Sequence, residues 1–233
     1  GLVLNDAGKL AELVREAAQV RFHNHRNTHI PTPGIAASAS RDIAVVAIGS
    51  STGGVEALQL LLSSFPADCP PTLIVQHVNP RFAPAIARTL DASSPATVQI
   101  AEPNMRLSRG NIYLAPGDDR HLLLSGSGGA FQMLLRTGKP DTGHLPSVNV
   151  LFESVARAAD RKAVGILLTG MGTDGARGLL AMAQAGAHTI AQDEASCVVF
   201  GMPRAAIALG AARQVMPLDS IARHALTQRV VTA

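Results

Sequence analysis

Side chains that could together activate a hydroxyl group follow three predicted strands of this chain. A serine hydroxyl becomes a good nucleophile when an imidazole takes its proton, and the imidazole needs a carboxylate to fix its tautomer and stabilise its positive charge. The sequence supplies residues for each role directly after the predicted strands. These residues are Ser50, Ser51 and Thr52 after the first strand, His77 after the second, and Met171, Gly172, Thr173 and Asp174 after the third.

The glycine-rich turn GSSTGG at 49–54 also has other interpretations. Such a loop can hold a phosphate group, but this one lacks the Lys of a Walker loop, and its glycines do not match G-x-G-x-x-G. It also differs from the G-x-S-x-G elbow, and the order Ser, His, Asp differs from that of the α/β hydrolases. A serine here can simply cap a helix. The residues alone leave open a serine hydrolase, a nucleotide-binding Rossmann-like module and a non-catalytic interaction domain.

The three predicted strands are short, continuous apolar runs at 43–48, 72–76 and 164–169. Such runs are typical of strands that are buried on both faces of a sheet. Helical patterns alternate with them, so the sequence predicts an α/β fold of the Rossmann-like three-layer kind. Its sheet would be doubly wound and mostly parallel, with helices on both faces. Because ligands bind outside the carboxyl ends of strands in such sheets, the residues at those ends are the candidate site.

Two other stretches shape this prediction. Apolar residues at helical spacing from Val148 to Val155, preceded by Ser147 as a candidate cap, predict a helix, and another is expected from about Gly175 to Ala185. The middle segment, roughly 98–135, contains short strand-like pieces separated by turns. It predicts an antiparallel hairpin insertion or an extension of the sheet.

The first 40 residues differ in composition from the rest. Apolar side chains recur at helical spacing between Leu10 and Ala17, and a linker rich in polar residues and Pro follows. Three histidines at 23, 25 and 29 lie in that linker without acidic or Cys partners, so we interpret them as solvated rather than as metal ligands. The sequence thus predicts a helix and linker at 1–40 and a globular domain at 41–233.

Composition argues against several classes of function. A net charge of +3 without a basic block, together with 3% aromatic residues, does not favour nucleic-acid binding. No apolar run approaches 18 residues, so membrane insertion is not expected, and we interpret the protein as cytoplasmic. Cys69 and Cys197 cannot build a disulfide framework and are expected to be small buried residues.

Long motifs in the chain resemble the CheB-type protein-glutamate methylesterases of bacterial chemotaxis, from Ile43 to about Leu218. They are AIGSSTGGVEAL, VQHVNPRFAPAIARTL, NIYLAPGDDRHLLL, PSVNVLFESVA, GILLTGMGTDGARGL and AQDEASCVVFGMPRAAI. The resemblance implies that Ser51 is the nucleophile, that His77 is the general base and that Asp174 orients it. It further implies that backbone N–H groups near Thr52 and Met171 bind the oxyanion.

The resemblance also implies substrates and partners. Such an enzyme removes methyl groups from γ-glutamyl methyl esters on the cytoplasmic helical region of chemoreceptors and deamidates selected receptor glutamines, without a metal or an organic cofactor. The family carries an upstream receiver domain that restricts access until it is phosphorylated, and residues 2–22 resemble the end of the junction to it. Residues that could border the substrate are Arg81 and Phe82, which could instead simply begin the next helix. The others are Gln192, Asp193 and Glu194, which could instead form a plain surface turn. The chain departs from the family at Asn149, where Asp is usual.

Overall fold

The computed structural model describes residues 39–228. The predicted helix and linker at 1–40, including the three linker histidines, therefore lie almost entirely outside the described residues, and the boundary at 41 stays a prediction. Within the described part, no helix has both the length and the apolar character needed to cross a bilayer.

Nine strands make up the sheets of the described part. They are β1 (Val45–Ser50), β2 (Thr72–Gln76), β3 (Thr97–Ile100), β4 (Asn111–Leu114), β5 (Arg120–Ser127), β6 (Ala130–Thr137), β7 (Ala163–Leu167), β8 (His188–Gln192) and β9 (Gln214–Met216). Seven of them form one sheet in the order β3-β4-β2-β1-β7-β8-β9, in which every neighbouring pair is parallel. The predicted parallel sheet is confirmed.

Six helices of the described part connect these strands. They are α1 (Gly54–Ser63), α2 (Ala83–Ser93), α3 (Val148–Ala159), α4 (Ala176–Gln184), α5 (Met202–Ala208) and α6 (Leu218–Leu226). The Ser147 side chain accepts a hydrogen bond from the N–H of Val150 and so caps α3, as its position before an amphipathic run predicts. Helix α4 ends two residues before Gly186, whose φ of 89° suits a residue without a side chain.

The sheet has a hydrophobic core on each face. Residues of β1 alternate between the two cores, since Val45 and Ala47 face one side while Val46 and Ile48 face the other. Helices α3, α4 and α5 pack on the first side, and α1, α2 and α6 pack on the second. This arrangement confirms the predicted three layers. Both cysteines are buried, and burial raises the pKa of Cys69 to about 11 and that of Cys197 to about 12.

The middle segment confirms the predicted antiparallel hairpin and differs from the prediction at one strand. Strands β5 and β6 pair in an antiparallel hairpin that forms a sheet of its own and does not extend the main sheet. This hairpin packs on α3, where the N–H of Leu124 donates to the hydroxyl of Ser154 over 2.9 Å. The piece NIYL instead forms β4, a parallel strand between β3 and β2. Its last three residues are buried because sheet neighbours and helices cover them.

The register of the sheet brings the predicted strand ends together. Ser50 at the end of β1 is paired with Gln76 at the end of β2, and Gly49 is paired with Leu167 at the end of β7. All three strands run in the same direction, so the residues that follow them emerge at one edge of the sheet. This edge carries the candidate site.

Candidate active site

The turn after β1 holds Ser51 between its two neighbouring strands. The N–H of Ser51 donates to the carbonyl of Thr169 over 3.0 Å, and the Ser51 carbonyl accepts from the N–H of Gly54 over 2.8 Å. Gly53 has a φ of 77°, a left-handed conformation that lets the chain reverse and begin α1. The side chain of Ser51 is partly exposed. Its backbone is therefore fixed while its hydroxyl lies at the surface of the sheet edge.

The side chain of Gln76 links the two strand ends that carry Ser51 and His77. Its amide Nε2 donates to the carbonyl of Ser51 over 2.9 Å and to the carbonyl of His77 over 3.0 Å. Its Oε1 accepts a buried hydrogen bond of 2.6 Å from the hydroxyl of Ser50. Sequence reasoning missed this residue. A single amide at the end of an otherwise apolar buried strand, directly before His77, was the available signal.

His77 is hydrogen-bonded to Asp174, as the resemblance of the motifs implies. The distance from Nε2 of His77 to Oδ2 of Asp174 is 2.8 Å, with 9% of the His77 side chain and none of the Asp174 side chain exposed. The two residues are 97 positions apart in the chain. The imidazole and the carboxylate thus form one buried pair at the edge of the sheet.

The carboxylate of Asp174 lies at the N-terminus of α3. Its Oδ1 accepts from the Ser147 hydroxyl over 2.8 Å and from the Asn149 N–H over 3.1 Å, and its Oδ2 accepts from the Val148 N–H over 2.7 Å. Free N–H groups at a helix N-terminus stabilise negative charge. Burial alone would raise the pKa of Asp174, but the hydrogen bonds from His77, Val148 and Asn149 together hold this pKa below its usual value. Asp174 is consequently a carboxylate at neutral pH.

The charge of Asp174 determines which nitrogen of His77 carries the proton. A carboxylate only accepts hydrogen bonds, so Nε2 of His77 must be the donor. In the neutral ring, Nδ1 is then an unprotonated acceptor. Within residues 39–228, this buried Nδ1 has no hydrogen-bond partner, so the structure joins His77 to Asp174 and forms no hydrogen bond between His77 and Ser51. Nδ1 is therefore the ring nitrogen that remains available as an acceptor.

The loop after β7 lies directly against Ser51. A Cβ atom added to Gly170 would lie 2.7 Å from Cβ of Ser51 and 2.3 Å from Sδ of Met202, so only glycine fits here. Met171 follows in this loop, and Thr52 follows Ser51. Within the described part of the chain, the backbone N–H groups of Thr52 and Met171 have no acceptor. Both are free to donate to a bound oxyanion.

The residues expected to border a substrate differ in how exposed they are. Arg81 is exposed, and Phe82 is 61% exposed where α2 begins, just after the His77 strand end. Asp193 is partly exposed, and Glu194 is exposed. The prediction does not hold for the side chain of Gln192, which is fully buried.

Gln192 has a structural position beneath the site. Its Oε1 accepts from the N–H of Thr169 over 2.8 Å, and its Nε2 donates to the carbonyl of Ser196 over 2.7 Å. An amide at the end of β8 can satisfy two backbone groups of neighbouring loops, and this explains why it faces inward. Gln192 thereby supports the loop that Ser51 contacts through Thr169.

Two residues near His77 were not assigned to the site from the sequence. The ring of His144 is stacked on the ring of His77, with centroids 3.8 Å apart and planes within 5°. Asn149 was noted only as a departure from the usual Asp, and the structure gives it buried contacts with its backbone N–H, its Oδ1 and its Nδ2. Neither contact could be read from sequence spacing, because both depend on how separate loops meet.

Comparison with known proteins places this arrangement in a family. The family model described as CheB methylesterase matches residues 46–225, which include the Ser51, His77 and Asp174 strand ends. The chain belongs to the CheB methylesterase family. This result confirms the resemblance found in the motifs and does not favour a nucleotide-binding module.

Individual CheB relatives are similar over most of the chain. It is 48% identical over 224 residues to a Rhizobium johnstonii protein named protein-glutamate methylesterase/protein-glutamine glutaminase 1, and 45% identical over 219 residues to a Salmonella typhimurium protein of the same name without the number. These matches cover 96% and 94% of this chain but 64% and 62% of those proteins. The chain thus spans about two thirds of the length of its CheB relatives.

A solved CheB structure also agrees with the fold. The crystal structure of the Thermotoga maritima CheB methylesterase catalytic domain superposes with a TM-score of 0.75 and 35% sequence identity. The match covers 78% of this chain and 96% of that domain. The three-layer fold is therefore that of a CheB catalytic domain.

Proposed function

We propose that this chain hydrolyses γ-glutamyl methyl esters and releases methanol. The observation that carries the proposal is the buried His77–Asp174 pair, whose Nδ1 has no hydrogen-bond partner within residues 39–228. The backbone N–H of His77 donates over 3.0 Å to the carbonyl of Ser50, the residue before Ser51. The names of the CheB relatives, which specify protein-glutamate methylesterase activity, support the same reaction.

The reaction proceeds in two similar halves. Ser51 attacks the ester carbonyl while Nδ1 of His77 accepts its proton, and Asp174 stabilises the resulting imidazolium. The N–H groups of Thr52 and Met171 donate to the tetrahedral oxyanion. His77 returns the proton to the departing methoxide, so methanol leaves and an acyl-enzyme forms. Water, deprotonated by His77, then attacks the acyl-enzyme and regenerates Ser51 together with a free glutamate carboxylate.

The same groups can deamidate glutamine, because only the leaving group changes. His77 would then protonate the amide nitrogen instead of methoxide, so that ammonia leaves. The relatives' names include protein-glutamine glutaminase, and this supports the second activity. We assign the cytoplasmic helical region of chemoreceptors as the substrate for both reactions. Exposed Arg81 and Phe82 would border the bound receptor helix, together with Asp193 and Glu194.

Regulation by a receiver domain is part of this proposal. The CheB relatives are longer than the matched region, so there is room for a further domain in such proteins. In the proposal, an unphosphorylated receiver domain covers the carboxyl edge of the sheet and limits access to Ser51. Methanol release by the chain extended with its receiver domain should rise when a small phosphodonor is added. Equal rates with and without phosphodonor would contradict this regulation.

Substitution of Ser51 tests the proposed reaction. Ser51→Ala should lower methanol release from a methylated receptor fragment by at least about 10⁴-fold, because the nucleophile is removed. Ser50→Ala should have a much smaller effect, since it removes only the hydrogen bond to Gln76. Ser63→Ala is a matched control, because its hydroxyl bonds only the Leu60 carbonyl in exposed α1. Near wild-type turnover by Ser51→Ala would contradict the assignment.

A further inference from the structure

A short turn carries the ring that stacks on His77. Asp141 and His144 exchange two backbone hydrogen bonds, with the Asp141 N–H donating over 3.1 Å and the His144 N–H over 2.9 Å. The two residues between them have left-handed backbones, with φ of 51° at Thr142 and 84° at Gly143. This is the geometry of a tight two-residue reversal. We refer to residues 141–144 as the 141–144 turn.

The Asp141 carboxylate anchors this turn to the helices below it. Its Oδ2 accepts from Nδ2 of Asn149 over 3.0 Å. Both of its oxygens accept from Nη2 of Arg177 over 3.1 Å. Asn149 is buried at the start of α3, whereas Arg177 is exposed on α4. The anchor therefore has a buried amide contact and an exposed ionic contact.

Asn149 uses both halves of its amide. Its Oδ1 accepts from the N–H groups of Gly175 over 3.0 Å and Gly178 over 2.8 Å, which fixes the chain directly after Asp174. Its Nδ2 is the donor to Asp141. An aspartate of the same shape could make the first two contacts but not the third, because it would place a carboxylate against the Asp141 carboxylate.

His77 needs a second contact besides Asp174 to hold its orientation. One hydrogen bond at Nε2 leaves the ring able to tilt about that contact, and a tilt moves Nδ1 relative to Ser51. The parallel ring of His144 restricts that tilt from one face. Burial, followed by repulsion from His77 when that ring is protonated, lowers the pKa of His144 and outweighs the opposing effect of Asp174. The stacked ring is thus neutral at neutral pH.

We propose that the 141–144 turn, anchored through Asp141 to Asn149, positions the His77 imidazole for proton transfer from Ser51. His144 and Asn149 are positioning residues, since they act through His77. The inference rests on the proposed esterase function. It also explains why this chain can use Asn at 149, because here the amide joins the Asp174 loop and the 141–144 turn into one unit.

Two variants of His144 test the stacking contact. His144→Ala removes the ring and should lower kcat about 10-fold to 10²-fold, because a misplaced base slows proton transfer. His144→Phe keeps a flat ring and should recover most of the lost kcat. KM should stay within about twofold in both variants, since the change acts in the transition state. Wild-type kcat in His144→Ala would overturn the proposal.

An exchange of residues tests the anchor. Asn149→Asp should lower kcat about tenfold or more, because two carboxylates would face each other and displace the turn. In the double variant Asn149→Asp, Asp141→Asn, the amide at position 141 can donate to the carboxylate at position 149. This variant should therefore regain most of the activity. Glu153→Gln is the matched control, since it alters only the outer partner of Arg177 and should not change kcat. Failure of the double variant to recover, while it melts like wild type, would overturn the anchor.

Nuclear magnetic resonance gives a readout that does not require turnover. A stacked ring shifts the ring protons of His77 upfield, so this shift should be lost in His144→Ala, kept in His144→Phe and reduced in Asn149→Asp. If the spectra showed this pattern but the wild type released no methanol, the proposed function would be wrong. The role of the 141–144 turn in orienting His77 would still be supported. An unchanged His77 spectrum in His144→Ala would overturn the turn's role, whatever the activity.

Discussion

At the scale of single residues, a buried negative charge controls the proton positions of the site. Asp174 accepts from the Ser147 hydroxyl, from N–H groups at the start of α3 and from His77, so its carboxylate remains ionised despite full burial. The hydrogen bond to Nε2 then leaves Nδ1 of His77 as the basic nitrogen. In the proposed reaction, the reactivity of Ser51 thus depends on a carboxylate to which it has no hydrogen bond.

Neutralising that carboxylate should disable the base. Asp174→Asn preserves the shape of the side chain, but its amide no longer stabilises an imidazolium or holds the same tautomer. Methanol release should fall about 10⁴-fold, as for the equivalent change in serine hydrolases. Asp118→Asn is a suitable control, because Asp118 pairs only with Arg120 and with the N–H of that residue. A fall of less than tenfold in Asp174→Asn would contradict this account.

The residues of the pair could be predicted from the sequence, whereas their supports could not. His77 and Asp174 each follow an apolar strand, and a parallel sheet brings such positions to one edge. Gln76, Ser147 and His144 act through contacts between segments that are distant in the chain. From the residue types alone, Gln76 could be any buried amide, Ser147 could be only a helix cap, and His144 could be an exposed histidine. Only the packed structure distinguishes these roles.

At the scale of elements, close packing of loops positions Ser51. The loop after β7 passes so near the Ser51 turn that position 170 has no room for a side chain. The carbonyl of Gly170 also accepts from the N–H groups of Gly201 and Met202 at the start of α5. The start of α5, the loop after β7 and the turn after β1 are therefore mutually fixed.

Adding one methyl group to that loop should separate these elements. Gly170→Ala would force its Cβ against Ser51 and Met202, so Ser51 and the Met171 N–H should move apart. We expect turnover to fall by about 10²-fold, comparable to the loss of one oxyanion donor. Gly128→Ala in the hairpin is the control, because its Cβ would meet nothing within 4 Å, although its φ of 64° adds a backbone strain that Gly170→Ala does not have. Equal activity in both variants would contradict the proposed contact.

The strands differ in how far the sequence predicts them. Strands β1, β2 and β7 are continuous apolar runs, and each was predicted within two residues of its observed bounds. β4 has only four residues and lies near the hairpin in sequence, so its pattern suggested a hairpin strand. Its partners β2 and β3 determine that it is parallel, and a local pattern contains no information about partners.

At the scale of the whole molecule, a histidine at the opposite edge of the sheet makes the fold less stable in acid. His188 begins β8 and lies beside His224 of α6, with ring centroids 5.1 Å apart. Burial, followed by the positive charges of His224 and Arg213, lowers the pKa of His188 from 6.5 to about 4. The unfolded chain therefore binds a proton at a higher pH than the folded protein does. Stability should be lost as the pH falls from 6.5 towards about 4.

Replacing His188 should make the protein less sensitive to acid. We measure the free energy of unfolding in urea from neutral pH down to about 4. This free energy should fall less steeply with decreasing pH in His188→Asn than in wild type, and the two slopes should differ by up to about 1.4 kcal/mol per pH unit. Asp174 does not affect this comparison, because its pKa is lowered from 3.8. Its contribution to the free energy of unfolding is therefore lost only below about pH 3.8. Parallel curves for variant and wild type, offset by a constant, would show that His188 has no such role.

The most direct test is the protonation state of His77 in the resting protein. A ¹⁵N-edited spectrum of the imidazole at neutral pH separates the two tautomers, since protonated and unprotonated ring nitrogens have distinct shifts. We predict a proton on Nε2, hydrogen-bonded to Asp174, and none on Nδ1. We also predict that Asp174→Asn disturbs this tautomer. A proton on Nδ1 in the wild type would leave Ser51 without a base and would contradict the central claim.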